Sequence, residues 1–365
     1  MPGNLYVHFP FCRRKCRYCA LYSRVGVPEA ERDAYVRRLA NAVDTWGQTP
    51  NTWGQAPAQR LKTVYFGGGS PALCDLRPLF TALRPWLSDE TEFTVELHPR
   101  DVTDGLLGAL RAGGVNRISM GVQSLDDATL AAMGRGYTVA EAAQAFARVK
   151  RFFDNAGVDL IVGYPGDPCA DWERLADWGL RHCSVYSLQN ERGLADVPDD
   201  DWVLDRIREV AAFLKEIGLE RYEISNYAVP GRECRHNLAV WRGEDYFGLG
   251  AGAYGRLGRR RTRNWGACPQ HVAGSVPSIP EPVPTSGLGV CPQASEEEVT
   301  PAQDALERRI FRLRTRDGLD ATGYPQWGQT LDRYCKMGLL TKENAIYRLT
   351  ERGMEVCDAI LAELV

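Results

Sequence analysis

Cys12, Cys16 and Cys19 stand within eight residues of one another near the N-terminus, in the spacing Cys-x3-Cys-x2-Cys. Thiolates are soft ligands, and a short loop carrying three of them suits an iron–sulfur cubane of the [4Fe–4S] type. Three ligands for four irons leave one iron open. An open metal position signals chemistry, where a closed one signals structure. The alternative is a structural zinc knot, which needs a fourth ligand. His8 and His98 are candidates for it, and no second cysteine pair follows. The other eight of the eleven cysteines have no ligand-like spacing and read as buried free thiols.

Such a loop has to be held by a scaffold. The chain of 365 residues is long enough for a barrel with a small appendage. Charged residues make up 25% and hydrophobic ones 44%, an ordinary globular balance. The formal net charge of -3 argues against nucleic acid or anionic lipid as a partner. No run approaches the roughly 18 apolar residues of a membrane span, so no integral membrane segment is expected. The N-terminus has no signal-peptide pattern. A cytoplasmic location, where thiols stay reduced, is the expectation.

Short apolar runs at residues 5–9, 63–66, 93–97, 117–120, 158–162 and 184–187 read as strands. Helical patterns lie between them, among them 34–43, 106–110 and 140–149. Each parallel step needs a crossover, so six strand–helix units predict an α/β fold with a partial parallel (β/α)6 barrel. Residues 46–50 and 53–57 read WGQTP and WGQAP, a local duplication in a surface loop. A second, Pro-rich loop holds VPSIPEPVP and runs from about 268 to 298. The expected organisation is therefore 1–265 as barrel and extension, 266–300 as linker, and 301–365 as a small winged-helix-like α+β appendage. Helical pattern is expected there at 302–314, around 334–340 and from 351. Without a basic excess, the appendage reads as structural or partner-docking.

Further signals fall at the ends of the expected strands, where a barrel of this kind carries its site. Gly67-Gly68-Gly69-Ser70-Pro71 follows the second strand and Glu96 closes the third. Gln123 follows the fourth in SMGVQS, Arg135 lies in MGRGY, and Asp159 opens DLIVGYPG on the fifth. Farther on come Tyr186, RYEISNYAVPG, His236-Asn237 with Trp241, and the Gly248–Ala253 stretch GLGAGA. Taken singly these are turns, solvated carboxylates and ordinary strand residues. GLGAGA lacks the GxGxxG pattern after a βαβ strand, so it reads as close backbone packing and not as a dinucleotide loop. The run Arg259, Arg260, Arg261, Arg263 reads as a solvated loop or as a phosphate or propionate contact.

Together, in this order, they resemble the radical S-adenosylmethionine superfamily. The cysteine spacing, Tyr6-Val7-His8-Phe9-Pro10-Phe11 before it and Tyr18 before the last cysteine are similar to one branch in particular. That branch holds oxygen-independent coproporphyrinogen III oxidase and its heme-chaperone paralogues. The resemblance implies a [4Fe–4S] cluster on Cys12, Cys16 and Cys19, with Tyr6 and Tyr18 flanking the cofactor site. The open iron then binds S-adenosylmethionine, which the reduced cluster cleaves to a 5′-deoxyadenosyl radical. It implies that Gly68, Gly69 and Ser70 contact the amino group of S-adenosylmethionine and Glu96 its ribose. Gln123, Arg135 and Asp159 match positions that contact a second S-adenosylmethionine in the oxidase. Two departures stand out. Tyr137 occupies a usual histidine position, and Val240 replaces the tyrosine of the HNxxYW signature.

Within the branch, the oxidase carries a fourth cysteine where this chain has Leu21. The resemblance therefore favours a heme chaperone, with coproporphyrinogen oxidase activity not expected. The implied partners are heme, S-adenosylmethionine and a heme acceptor protein. His236 becomes the candidate heme ligand, and Cys234 beside it raises the question of covalent attachment. A two-S-adenosylmethionine radical methyltransferase shares the three-cysteine signature and stays open as an alternative, as does the oxidase.

Overall fold

In a computed structural model the described residues are 3–45, 60–263 and 295–365. The WGQ duplication, most of the Pro-rich loop, Cys268 and Cys291 lie outside them.

All six expected strands are present: β1 (Asn4–Phe9), β2 (Thr63–Gly68), β3 (Glu92–Leu97), β4 (Arg117–Gln123), β5 (Asn155–Val162) and β6 (His182–Ser187). They pair in parallel in that order. β1 shows how alternation sets the two faces. Leu5, Val7 and Phe9 are fully buried against the helical layer, and Asn4, Tyr6 and His8 point the other way. The inward faces are therefore polar, and a site with several hydrogen-bonding groups can be assembled there.

The chain continues through β7 (Glu220–Arg221), β8 (Asn226–Ala228), β9 (Tyr246–Leu249), β10 (Tyr254–Leu257), β11 (Arg260–Arg263) and β12 (Ser295–Glu298). Spatially the sheet runs β12-β11-β10-β9-β1-β2-β3-β4-β5-β6-β8-β7. It is an open sheet with β12 and β7 at its edges. β9 was not expected; it joins β1 in parallel and makes a seventh parallel strand. β12 corrects the expected linker, since Ser295–Glu298 pairs with Arg260–Arg263 as part of the large sheet. Ion pairs accompany the ladder, with Arg259, just before β11, on Glu298 and Arg260 on Glu296.

Helices α1 (Glu29–Asp44), α2 (Arg77–Leu83), α3 (Asp104–Ala112), α4 (Asp127–Met133), α5 (Val139–Lys150) and α6 (Asp200–Glu216) cover the outer face. Local chemistry fixes their starts. Thr138 and Glu141 form a capping box on α5, and Thr103 and Asp126 cap α3 and α4. α1 buries Tyr35, Val36, Leu39 and Val43 on one face, the stripe expected from its spacing.

After α7 (Arg235–Trp241) and α8 (Pro301–Ile310), the C-terminal unit adds α9 (Pro325–Lys336), α10 (Glu351–Glu355) and α11 (Cys357–Ala362). A three-stranded antiparallel sheet is formed by β13 (Leu319–Asp320), β14 (Leu340–Glu343) and β15 (Ile346–Leu349). It has its own core around Leu313, Leu331 and Ile360. The helical pattern expected at 334–340 is corrected: α9 ends at Lys336, Gly338 turns at φ 72, and Leu340 starts a strand. Arg208–Glu355, Arg242–Asp317 and Arg316–Glu233 tie this unit to α6 and to the segment around α7.

Candidate functional site

The C-terminal ends of β1–β6 open onto a cavity of about 640 Å³. Cys12, Cys16 and Cys19 line it together with Gly68, Gly69, Ser70, Glu96, Gln123, Arg135 and Asp159. The structure thus brings together most of the residues picked out from the sequence.

The glycine loop is seated by backbone contacts. Gly69 N–H donates to the Phe9 carbonyl at 2.7 Å, and Ser70 N–H to the Phe11 carbonyl at 2.7 Å. A Cβ on Gly69 would lie 2.5 Å from the Phe11 oxygen and 3.0 Å from Cys12 Sγ. Gly68 has φ 101, and a Cβ there would meet the His8 ring. Only glycine lets this loop lie flat against the cysteine loop. Ser70 Oγ donates to Asp101 at 2.6 Å, and Asp101 also accepts from Arg13 at 2.6 Å. Asp101 carried no sequence signal; it is an ordinary residue of a short turn until the fold places it under Ser70.

Burial pushes the Cys12 thiol up, a hydrogen bond with Ser23 opposes this, and the nearby Cys19 and Cys16 raise it further. Three thiols with no carboxylate among them are the donor set of an iron–sulfur cluster. Among the described residues no three His, Cys, Asp or Glu groups gather around a single ion. Cubane thiolates each bind a different iron, and so they stand wider apart than the ligands of one zinc. His8, a candidate fourth ligand for zinc, has both nitrogens engaged, with the Tyr6 hydroxyl at 3.0 Å and the Tyr22 carbonyl at 3.0 Å. The residues fit the cluster better than the knot. His98 lines the cavity with Nδ1 accepting from Arg100 N–H, and burial lowers its pKa to about 3.

Arg135 reaches across to the cysteine loop, with Nη1 3.4 Å from Cys16 Sγ and 3.3 Å from the Tyr18 hydroxyl. Its Nη2 donates to the Gly121 carbonyl at 2.6 Å and its Nε to the Tyr137 hydroxyl at 3.0 Å. Tyr137 in turn donates to the Val122 carbonyl at 2.9 Å. The tyrosine standing at a usual histidine position is therefore a brace for the guanidinium. Gln123 sits at φ 76, where the β4–β5 register shifts, so its side chain is re-aimed toward the cavity.

Glu96 accepts from the Tyr65 hydroxyl at 2.8 Å and from Gly68 N–H at 3.1 Å. Burial, with Asp159 nearby, raises its pKa to about 7. Asp159 accepts from Ser119 Oγ at 3.0 Å, and burial raises its pKa too. Tyr65 was missed in the sequence; its alternation with buried Val64 and Phe66 was the available signal.

Tyr6, expected to flank the cofactor site, faces the next opening along the sheet. It lines a second cavity of about 560 Å³ with Tyr65, Tyr246, Tyr254, Val240, Arg263 and His236. The two cavities share Ala20, Leu21, Tyr65, Glu96, Tyr186 and Glu191, so they adjoin.

His236 is buried at the floor of the second cavity, with its backbone N–H on Glu92. Its tautomer follows from a chain of three bonds. Asn4 Nδ2 donates to the Asp245 carbonyl at 3.1 Å, so Asn4 Oδ1 faces Thr63. The Thr63 hydroxyl gives its one proton to that oxygen at 2.9 Å and accepts from His236 Nδ1 at 2.8 Å. Nε2 is left with a lone pair and, among the described residues, no hydrogen-bond partner. Burial lowers the ring's pKa to about 3, so it is neutral. Val240, in place of the signature tyrosine, lines this cavity. Cys234 is fully buried with its thiol on Glu92, and it does not line the second cavity.

The model of the Radical SAM superfamily matches residues 6–179. The chain is 30% identical to the heme chaperone HemW of Bacillus subtilis over 99% of this chain and 100% of that protein. It is 32% identical to the HemW of Mycobacterium tuberculosis over 100% and 96%. The chain belongs to the radical S-adenosylmethionine superfamily, in the HemW branch. The coproporphyrinogen III oxidase HemN of Escherichia coli has the same fold, with TM-score 0.74 at 20% identity over 99% of this chain and 89% of that one. No helix of the described residues is long and apolar enough to cross a membrane.

Proposed function

We propose that the chain is a heme chaperone, holding heme in the second cavity on His236 Nε2 and transferring it to an acceptor protein. The observation that carries this is the free, neutral lone pair of His236 at the floor of a cavity adjoining the cluster site. Neutral imidazole is a standard heme-iron ligand, and the bond on its other nitrogen orients the ring. Cys12, Cys16 and Cys19 hold a [4Fe–4S] cluster, and Gly68, Gly69, Ser70 and Glu96 bind S-adenosylmethionine, with Gln123, Arg135 and Asp159 on the opposite wall. When bound and reduced, such a cluster supplies the electron that splits a sulfonium. The chain's own groups orient the ligand: the glycine loop through its backbone, Glu96 by accepting hydroxyl protons, and Arg135 by holding positive charge beside Cys16.

Residues 1–265 carry these sites and 301–365 serve acceptor docking or structure, in the cytoplasm, where the thiols stay reduced. Coproporphyrinogen oxidation is the second reading, since the fold is that of an oxidase. Leu21, exposed between the two cavities, stands where that enzyme has a fourth cysteine and speaks against it.

Anaerobic reconstitution should give about four irons and four sulfides per chain, and hemin should then produce a histidine-ligated Soret band that His236→Ala removes. Conversion of coproporphyrinogen III in the presence of S-adenosylmethionine and a reductant would overturn the chaperone reading in favour of the oxidase.

A further inference from the structure

The four arginines of the run 259–263 have different fates in the fold. Arg259 pairs with Glu298, Arg260 with Glu296, and Arg261 with Asp304 and Glu307. Arg263 has no acidic partner among the described residues. Its guanidinium lies 5.2 Å over the ring of Tyr254, and its buried Nε finds no hydrogen-bond acceptor. A buried N–H of this kind is a standing cost that an incoming acceptor would relieve.

Sheet register shows where Arg263 points. Tyr65 pairs with Tyr6, Tyr6 with Gly248, and Tyr254 with Arg263. Tyr246 opposite Arg256 brings Gly248 beside Tyr254, where a Cβ on the glycine would collide with the Tyr254 carbonyl. Laterally paired residues share a face of a sheet. Tyr6, Tyr254 and Arg263 therefore lie in one row on the face that lines the second cavity, with a side-chain-free gap at Gly248. Arg263 is two strands, about 10 Å, from β9, whose Tyr246 meets the His236 ring at 6.4 Å. Arg263 is also the one Arg or Lys among the described residues lining this cavity, and its acids, Glu96 and Glu191, are those shared with the cluster cavity.

We propose that Arg263 is the anchor for a carboxylate arm of the tetrapyrrole, with Tyr254 stacking beside the ring and the carboxylate turned away from Glu96 and Glu191. This rests on the heme reading given above. It assigns the cavity a direction: metal over His236, propionate at the β10–β11 edge. The ligand class is a flat, apolar macrocycle bearing at least one carboxylate on its rim.

The test is a spectrophotometric titration of the full-length, reconstituted protein with hemin and with hemin dimethyl ester, whose carboxylates are blocked. Wild type should bind hemin about tenfold more tightly than the diester, the scale of one charge-assisted hydrogen bond. Arg263→Gln should lose about that factor for hemin and cease to distinguish the two. Arg260→Gln, whose arginine is already paired, should behave as wild type. If wild type and Arg263→Gln separate diacid from diester equally, the anchor is overturned even though heme binds. If His236→Ala binds hemin as wild type does, the heme site itself is misplaced and the anchor falls with it. The diester comparison on wild type needs no variant to fold.

Discussion

The Thr63 hydroxyl decides which nitrogen of His236 carries the proton, because its own proton is already committed to Asn4 at 2.9 Å. Thr63→Val removes that acceptor while nearly keeping shape, and leaves His236 Nδ1–H and Asn4 Oδ1 buried without partners. The expected cost is about 1–3 kcal/mol of unfolding free energy, read from urea titration. Hemin affinity should fall several-fold as the ring loses its fixed tautomer. An unchanged Soret band and affinity would show that Thr63 does not position the imidazole.

Glu96 holds a proton in the folded protein up to about pH 7, and an unfolded glutamate releases it near 4.5. The stability this group contributes is thus complete below 4.5 and is lost as pH rises through 7. Glu96→Gln cannot ionise. Free of S-adenosylmethionine, it should be more stable than wild type at pH 8, and the gap should close by pH 4.5. Because Glu96 opens onto the cavity, solvent screening holds the gain to about 1 kcal/mol. The same variant should bind S-adenosylmethionine more weakly. A stability difference that is independent of pH would sink this assignment.

Gly69→Ala tests the close approach of the two loops. Its Cβ would sit 2.5 Å from the Phe11 oxygen and 2.7 Å from the Phe9 oxygen, both backbone atoms that cannot swing aside. The loop should be displaced from Cys12, lowering cluster occupancy and S-adenosylmethionine affinity at least tenfold by the loss of two backbone hydrogen bonds. Iron content with retained far-ultraviolet dichroism measures this directly. A fully loaded cluster in the variant would contradict the seating.

Tyr137→Phe removes the brace under Arg135 and leaves its Nε and the Val122 carbonyl unsatisfied. A destabilisation of about 1–2 kcal/mol is expected. Tyr137→His, the residue common in the family, should recover part of it. If Phe is neutral and S-adenosylmethionine affinity is unmoved, the hydroxyl does not hold the guanidinium.

The six parallel strands were legible because each buries a continuous apolar face, and burial of that kind writes a local pattern. β9 was not, since Tyr246–Leu249 is a four-residue strand whose only reason to be parallel is the neighbour it meets, 242 residues away at Asn4. The helix expected across 334–340 failed for a related reason: the apolar spacing continues through Gly338, and only the left-handed turn and the pairing of Leu340 with Leu349 break it.

What the amino-acid order determined by itself is the chemistry available: three thiols on one loop, a glycine triplet after a strand, carboxylates at strand ends. These are contiguous or nearly so, and their spacing survives any fold that keeps the loops intact. Tertiary structure alone decided direction and partnership. It put Tyr6 in the second cavity, gave Tyr137 to Arg135, and chained Asp245, Asn4, Thr63 and His236 into one run of hydrogen bonds across residues far apart in sequence. Hydrogen bonds are short-ranged and directional, so a residue's role in such a chain exists only once the strands have set its neighbours.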